Sequence, residues 1–180
     1  MPPTIAGVRL SFLVERLAAA RIGETFNQYA PAPDLCDRLD RYLARRADAP
    51  VLLVGEAAGY RGARVSGLPF TSERQLTGSG PAEATATIVH RVLAELGVEE
   101  QVLLWNVVPT HSHLPGRPHS NRRPTRAEAA AGRTFVDELA RGRRVVAVGR
   151  LAEAVAGGAY VRHPSHGGGT AFREGLGRLV

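Results

Sequence analysis

The chain has 180 residues, 44% of them apolar and 22% charged, with one cysteine, Cys36. That length and balance fit one folded unit with a real core and exclude wholesale disorder. A lone cysteine excludes, within the chain, a disulfide framework, a four-thiolate zinc site and a cysteine-ligated iron–sulfur cluster.

All 23 basic side chains are arginine, which removes the P-loop lysine and every lysine Schiff base. The positive excess is local: between Arg117 and Arg150 nine arginines meet only Glu128, Asp137 and Glu138. That window accounts for the whole net charge of +6. Such concentration favours a polyanionic partner, most simply nucleic acid, with a solvated basic face as the plainer alternative. No stretch is long and apolar enough for a membrane span, and Met1 to Ala20 lacks the signal-peptide pattern. A soluble cytoplasmic protein is expected.

Leu10, Leu13, Val14, Leu17 and Ala18 have the spacing of an amphipathic helix, read over Leu10 to Ile22. A loop from Thr25 to Ala32 carries Phe26-Asn27-Gln28-Tyr29, which either lines a pocket mouth or packs as an arm. Asp34 to Arg46 is a second helix, bounded by Pro33 and Pro50. Val51 to Val54 is a short apolar run closed by Gly55, the pattern of a strand buried on both faces. Glu56 to Gly80, rich in Gly, Ser and Thr, is expected to be a long ordered loop of functional use.

A helix is expected from Pro81 to Leu96, a strand from Val102 to Val108, and a basic, histidine-rich loop from Pro109 to Pro124. A helix from Thr125 to Ala140, a strand at Val145 to Val148, a short helix at Leu151 to Ala156 and a strand at Ala159 to Arg162 follow. The last ten residues make a weak helix, because Gly175 and Gly177 lower its propensity. The alternation predicts a three-layer α/β/α fold around a four-stranded, mostly parallel sheet. It forms one unit, 1–180, with the helical segment 1–48 packed on the same core.

Parallel α/β sheets bind ligands outside the carboxyl ends of their strands. Glu56 follows the first strand, Asn106 closes the second, His163 follows the fourth, and Phe70 lies in the Gly-Leu-Pro-Phe turn after the first. An amide reads a base edge, an aromatic face stacks on it, and a histidine donates to a carbonyl gaining charge. A carboxylate steadies a cationic sugar or orients water. Together they describe a pocket for a nucleobase whose glycosidic bond is to be broken.

Gly55-Glu56-Ala57-Ala58-Gly59, Gly67-Leu68-Pro69-Phe70, Asn106-Val107-Val108 and His163-Pro164-Ser165 resemble, in that order, the motifs of the uracil-DNA glycosylase superfamily. Asn121-Arg122-Arg123-Pro124-Thr125 to Ala131 and Val145 to Gly149 also resemble the bacterial class with an iron–sulfur cluster. The resemblance covers about Val51 to Ser165. It implies that Glu56 and His163 are catalytic, with Phe70 stacking on the base and Asn106 bonding its Watson–Crick edge. Gly55, Ala57 and Tyr60 would help to shape the pocket. Arg64, Ser72, Arg117, Arg122, Arg123, Arg126, Ser165 and His166 are the expected DNA contacts.

The sequence also departs from that pattern. Thr110 and Gly132 stand where cluster-bearing relatives have cysteine, so a cluster-free branch with no cofactor is expected. Ala58 replaces a usual proline, and Gly59 replaces the tyrosine that blocks thymine in the best-known uracil enzymes. His166-Gly167-Gly168-Gly169 lacks the apolar wedge. The resemblance implies excision of uracil from double- or single-stranded DNA, with free uracil as product. A monomer without membrane attachment, working at the bacterial nucleoid, is expected.

Two alternatives stay open: a glycosylase for another deaminated base such as hypoxanthine, and a binder of uracil or abasic DNA without turnover. Three other motifs point elsewhere but weakly. His111, His113, His119 and His163 lack the spacing of a zinc site. Gly78-Ser79-Gly80 is no dinucleotide fingerprint, and Ser165 beside His163 has no nucleophile elbow.

Overall fold

The computed structural model describes residues 5–180, with side chains from Phe12 onward. Leu10, expected on the first helix, lies outside the described side chains, and Met1 and Pro2 lie outside the described residues. The elements are α1 (Ile5–Ala19), α2 (Pro33–Arg45), β1 (Val51–Ala57), α3 (Ala63–Ser66), α4 (Glu73–Thr77), α5 (Ala84–Leu96) and β2 (Val102–Val108). They continue with α6 (Arg126–Leu139), β3 (Arg144–Val148), α7 (Arg150–Ala156), β4 (Ala159–Val161) and α8 (Gly169–Gly177).

The four strands form one all-parallel sheet in the order β2-β1-β3-β4. The chain therefore leaves β1 to one side for β2 and then returns past it to β3. Right-handed crossovers running in opposite directions put their helices on opposite faces of the sheet. Accordingly α6 packs on β2 with α7 beside it, while α8 packs on β4 and against α5. The point where the order reverses, between the carboxyl ends of β1 and β3, is where such sheets open a crevice.

The sheet is buried because its residues are apolar on both faces: every residue of β2 is buried, Trp105 fully so. Leu13 and Leu17 of α1 and Leu39 and Leu43 of α2 join the same continuous core. The helical N-terminal segment thus rests on the sheet's own core. Among the described residues no helix is long and apolar enough to cross a membrane.

Several boundaries differ from expectation. The segment 56–80 is not a plain loop, since it contains α3 and α4. The latter starts at a capping box in which Ser72 and Gln75 satisfy each other's end of the helix. The next helix begins at Ala84 rather than Pro81, because the Pro81 carbonyl is drawn back to accept from the Arg74 N–H. The C-terminal helix starts at Gly169, and fully buried Phe172 and Leu176 hold it in spite of its glycines. Tertiary packing overrides propensity there.

Candidate active site

Glu56 at the end of β1, Asn106 in β2, Phe70 after α3 and His163 after β4 line one cavity of about 200 Å³. Ala57, Ala58, Gly59, Glu83, Thr85, Ser112 and Asn121 complete much of its wall. The parallel register sets Asn106 beside Gly55, so the amide emerges at the central strand's carboxyl end. Asn106 is 4% exposed, yet among the described residues its side-chain amide has no hydrogen-bond partner. Its carbonyl and NH2 open on the cavity and are left to whatever fills it, water or ligand.

Phe70 is buried with φ 51°, a left-handed backbone that a bulky residue adopts only when its surroundings impose it. The impositions are visible. Ser66 Oγ donates to the Thr71 carbonyl at 2.6 Å, and Thr71 Oγ1 donates to the Pro69 carbonyl at 3.0 Å. His90 on α5 bonds the Phe70 backbone and meets Thr71 Oγ1 at 3.0 Å. Burial depresses the His90 pKa, which keeps that ring neutral. The Phe70 ring is thereby laid across Gly55, a close approach that a side chain at 55 would block.

His163 has its tautomer fixed by its own turn. The Ser165 backbone N–H donates to His163 Nδ1 at 3.1 Å, with Ser165 Oγ 2.7 Å from the same nitrogen. An N–H can only donate, so Nδ1 accepts and the neutral ring carries its proton on Nε2. Burial first, and the charge of His166 second, push the His163 pKa below its ordinary value. His163 and Glu56 also border an adjoining cleft with Gly149, Arg150, Tyr160, Arg162, Ser165 and His166. Glu56 stands between the two spaces and has no partner among the described residues.

The loop that follows β1 is held from behind. The Ala58 N–H donates to the Val108 carbonyl at 3.3 Å, the Tyr60 N–H to Asn121 Oδ1 at 3.0 Å, and His111 Nδ1 lies 2.9 Å from the Ala58 carbonyl.

Three expected contacts are placed differently. Ser72 is fully buried and its hydroxyl is taken up in the α4 cap, which removes it from any phosphate. Arg122 uses both terminal nitrogens on Glu128, at 2.7 and 2.6 Å, and its Nε on the His113 carbonyl at 2.8 Å. It is an internal brace. Tyr60 does not line the cavity; its ring lies against the Arg61 guanidinium, 5.3 Å from the centroid. The 26–29 segment packs as an arm, with Gln28 and Tyr29 buried and the Asn27 amide donating to carbonyls at the end of α1.

The remaining basic contacts divide by place. Arg117, Arg123 and Arg126 are exposed on the basic face, and Arg64 lies over the Phe26 ring, 5.4 Å from its centroid. Sequence reasoning missed Glu83, Ser112 and Asn121 on the wall and His90 behind Phe70. It also missed Arg150 and Arg162 in the adjoining cleft.

Among the described residues no three His, Cys, Asp or Glu side chains come together to hold a metal. His111 is buried between the Ala58 and Pro118 carbonyls, at 2.9 and 3.1 Å. Where cluster-bearing relatives have cysteines, Thr110 Oγ1 meets Thr25 Oγ1 at 2.6 Å, and a side chain at Gly132 would overlap the Val107 carbonyl. These positions do not fit a cluster, and none of the chemistry below depends on one.

An all-parallel sheet whose switch point opens on an unpaired amide, an imposed aromatic and a neutral histidine defines a base-handling α/β protein. The family model described as the Uracil DNA glycosylase superfamily matches residues 44–177, and the chain belongs to that superfamily. It is therefore a DNA glycosylase, with DNA as its substrate polymer. The structure of wild-type Pedobacter heparinus SMUG2 shares the fold, with a TM-score of 0.67 at 12% sequence identity. The likeness covers 94% of this chain and 96% of that one. A search of curated proteins gives no match.

Proposed function

We propose that the protein removes uracil from DNA by hydrolysing its N-glycosidic bond, leaving an abasic site in an unbroken strand. The observation that carries this reading is the Asn106 amide, which has no partner among the described residues and opens on the cavity. Uracil offers a donor at N3 next to an acceptor at O4, which match an amide's carbonyl and NH2 side by side. Reaching such a pocket requires the nucleotide to leave the duplex, at a cost of about a few kcal/mol.

Phe70 then stacks on the ring, and His163 donates from Nε2 to O2, where negative charge grows as the bond breaks. Glu56 carries a carboxylate beside the opposite developing charge, on the sugar, and orients the attacking water. Water is the nucleophile because the chain has no lysine to form a Schiff base. The exposed arginines of the basic face, Arg117, Arg123 and Arg126, meet DNA phosphates together with Arg162, Ser165 and His166 of the adjoining cleft. The protein acts as a monomer in the bacterial cytoplasm, at the nucleoid.

The test is release of free base from three labelled uracil substrates, with uracil opposite guanine, opposite adenine and in a single strand, beside a separate control oligonucleotide carrying hypoxanthine. Uracil release without strand scission is expected. All three substrates left intact at excess enzyme would overturn the reading. Hypoxanthine release alone would reassign the base, and tight binding without turnover would make the protein a damage binder.

A further inference from the structure

Beside the active site, α6 and α7 enclose a second, larger groove of about 550 Å³, which shares Pro124 with the cavity and Arg150 with the adjoining cleft. Its floor is aliphatic and small. Ala129 and Ala130 come from α6. Leu151, Ala154 and Val155 come from α7, at the i, i+3, i+4 spacing that sets them on one helix face. Ala130 and Ala154 are exposed and Leu151 and Val155 half-buried, so the floor is open to solvent.

Arg123, Arg126, Arg133 and Arg150 rim the groove, and among the described residues no acidic side chain lines it. The Arg123 and Arg126 guanidinium groups have no partner among the described residues. Arg133 meets Asp137 at 3.3 Å. Arg150 meets Glu153 at 2.7 Å and lies over the exposed Tyr160 ring. Exposed pairs of this kind hold their arginines weakly. The result is an apolar trough inside a ring of positive potential.

The lining selects among occupants. A nucleobase would find neither an aromatic ring to stack on nor an amide or hydroxyl side chain to read its edge. A sugar–phosphate backbone would meet the arginines but leave the aliphatic floor empty. A helix with an apolar stripe and acidic flanks satisfies both parts, because the stripe fills the trough while the carboxylates meet the rim. The alanines let its backbone come close to α6 and α7. Arg126 and Arg133 stand about two turns apart along α6, which spreads the basic rim over two turns of such a guest. We infer that the groove between α6 and α7 docks an acidic amphipathic helix of a partner protein.

Docking there is independent of which base the active site releases, so the two are tested apart. The probe is a fluorescein-labelled peptide of about 18 residues, with leucines at i, i+3, i+4 and i+7 on one face and glutamates elsewhere. Its anisotropy is titrated with the 180-residue chain, beside a scrambled peptide of the same composition. Arg123 and Arg126 meet DNA in the proposed complex, so the variants are made elsewhere. Arg133→Glu reverses a rim charge, and Ala154→Trp fills the trough from an exposed position. The ordered peptide should bind about tenfold or more tighter than the scrambled one, and each variant should weaken it by about tenfold or more. Band shifts of both variants with an abasic-site duplex should stay within about twofold of wild type.

An ordered peptide that binds no tighter than the scrambled one, or that neither variant weakens, would overturn the docking. Loss of duplex binding in both variants, with no binding of the ordered peptide, would overturn it by giving the groove to the DNA backbone. A wild-type dimer in sedimentation velocity that Ala154→Trp dissolves would overturn it by giving the groove to a second copy of the chain. If Ala154→Trp does not fold, Arg133→Glu decides: unchanged affinity for the ordered peptide would count against docking, and the expected loss for it.

Discussion

Gly55 and Phe70 touch across the floor of the cavity: a Cβ on Gly55 would overlap the end of the Phe70 ring and stand 2.8 Å from Asn106 Oδ1. One missing side chain on the central strand thus seats both the stacking aromatic and the reading amide. Backbone bonds on both sides hold β1, so it cannot retreat to make room. Gly55→Ala should therefore displace the ring and the amide together. Uracil release in single turnover is expected to fall by about 100-fold, the scale of a small misplacement at a reacting centre. Binding of abasic DNA in a band-shift assay should change little. Wild-type rates in this variant would show that the contact does not set the pocket.

Asn106→Asp keeps the shape of the side chain and exchanges the NH2 for a second acceptor. The O4 acceptor of uracil would then face an oxygen, while the N4 amine of cytosine would find a partner. Uracil release should drop by roughly 5- to 150-fold, the range of about 1–3 kcal/mol for an unpaired buried group. Cytosine release from a cytosine:guanine oligonucleotide should become measurable. Unchanged uracil kinetics would take Asn106 out of the recognition edge.

The Arg122–Glu128 ion pair, whose arginine lines the cavity, makes a pH prediction. Glu128 is 2% exposed and takes bonds from Arg122, from the Thr125 N–H at 2.8 Å and from the Glu24 N–H at 3.2 Å. It joins α6 to the 122 loop and to the chain beyond α1. The Arg122 bonds hold its carboxyl down at about 2, against an ordinary value of 4.5. A carboxyl depressed in the folded state stabilises above the unfolded pKa, and that stability is lost as pH falls from about 4.5 toward 2. Urea melts of the wild type should lose stability across that window. Glu128→Gln should flatten the loss, and Glu128→Ala should cost about 3–5 kcal/mol at neutral pH because Arg122 is left unpaired. An acid limb of equal depth in Glu128→Gln would place the titration elsewhere.

The strands and the floor of the site were legible because their signals are local. Val51 to Val54 and Val102 to Val108 are apolar on both faces, and Asn106 is conspicuous inside such a run. What failed was the choice of partner. Arg122 looked like a phosphate contact because six residues of sequence do not reveal that Glu128 turns back on it through the α6 cap. Ser72 was misplaced although Gln75 follows at capping-box spacing; the surrounding Gly, Ser and Thr hid two short helices. Glu83 could not be found at all, since its place depends on chain packing over Gly59 and Gly62.

His163 carries the last prediction, in which tautomer and pH act together. The Ser165 N–H occupies Nδ1, so protonation there must break that bond, and burial and His166 already depress the pKa below the ordinary 6.5. The neutral ring with its proton on Nε2 is the working form, so the rate of base release should hold down to pH 6.5 and fall only as the pH drops through the lowered pKa. Removing the charge of His166 in His166→Ala should move that acid limb upward. His163→Ala should abolish the limb and slow single-turnover release by about 10²- to 10³-fold, the usual loss for one donor to a developing oxyanion. Its DNA affinity should hardly change, because the contact strengthens only as the bond breaks. An acid limb that persists unmoved in both variants would show that another group titrates. Equal losses of binding and release in His163→Ala would make the histidine a structural part of the turn.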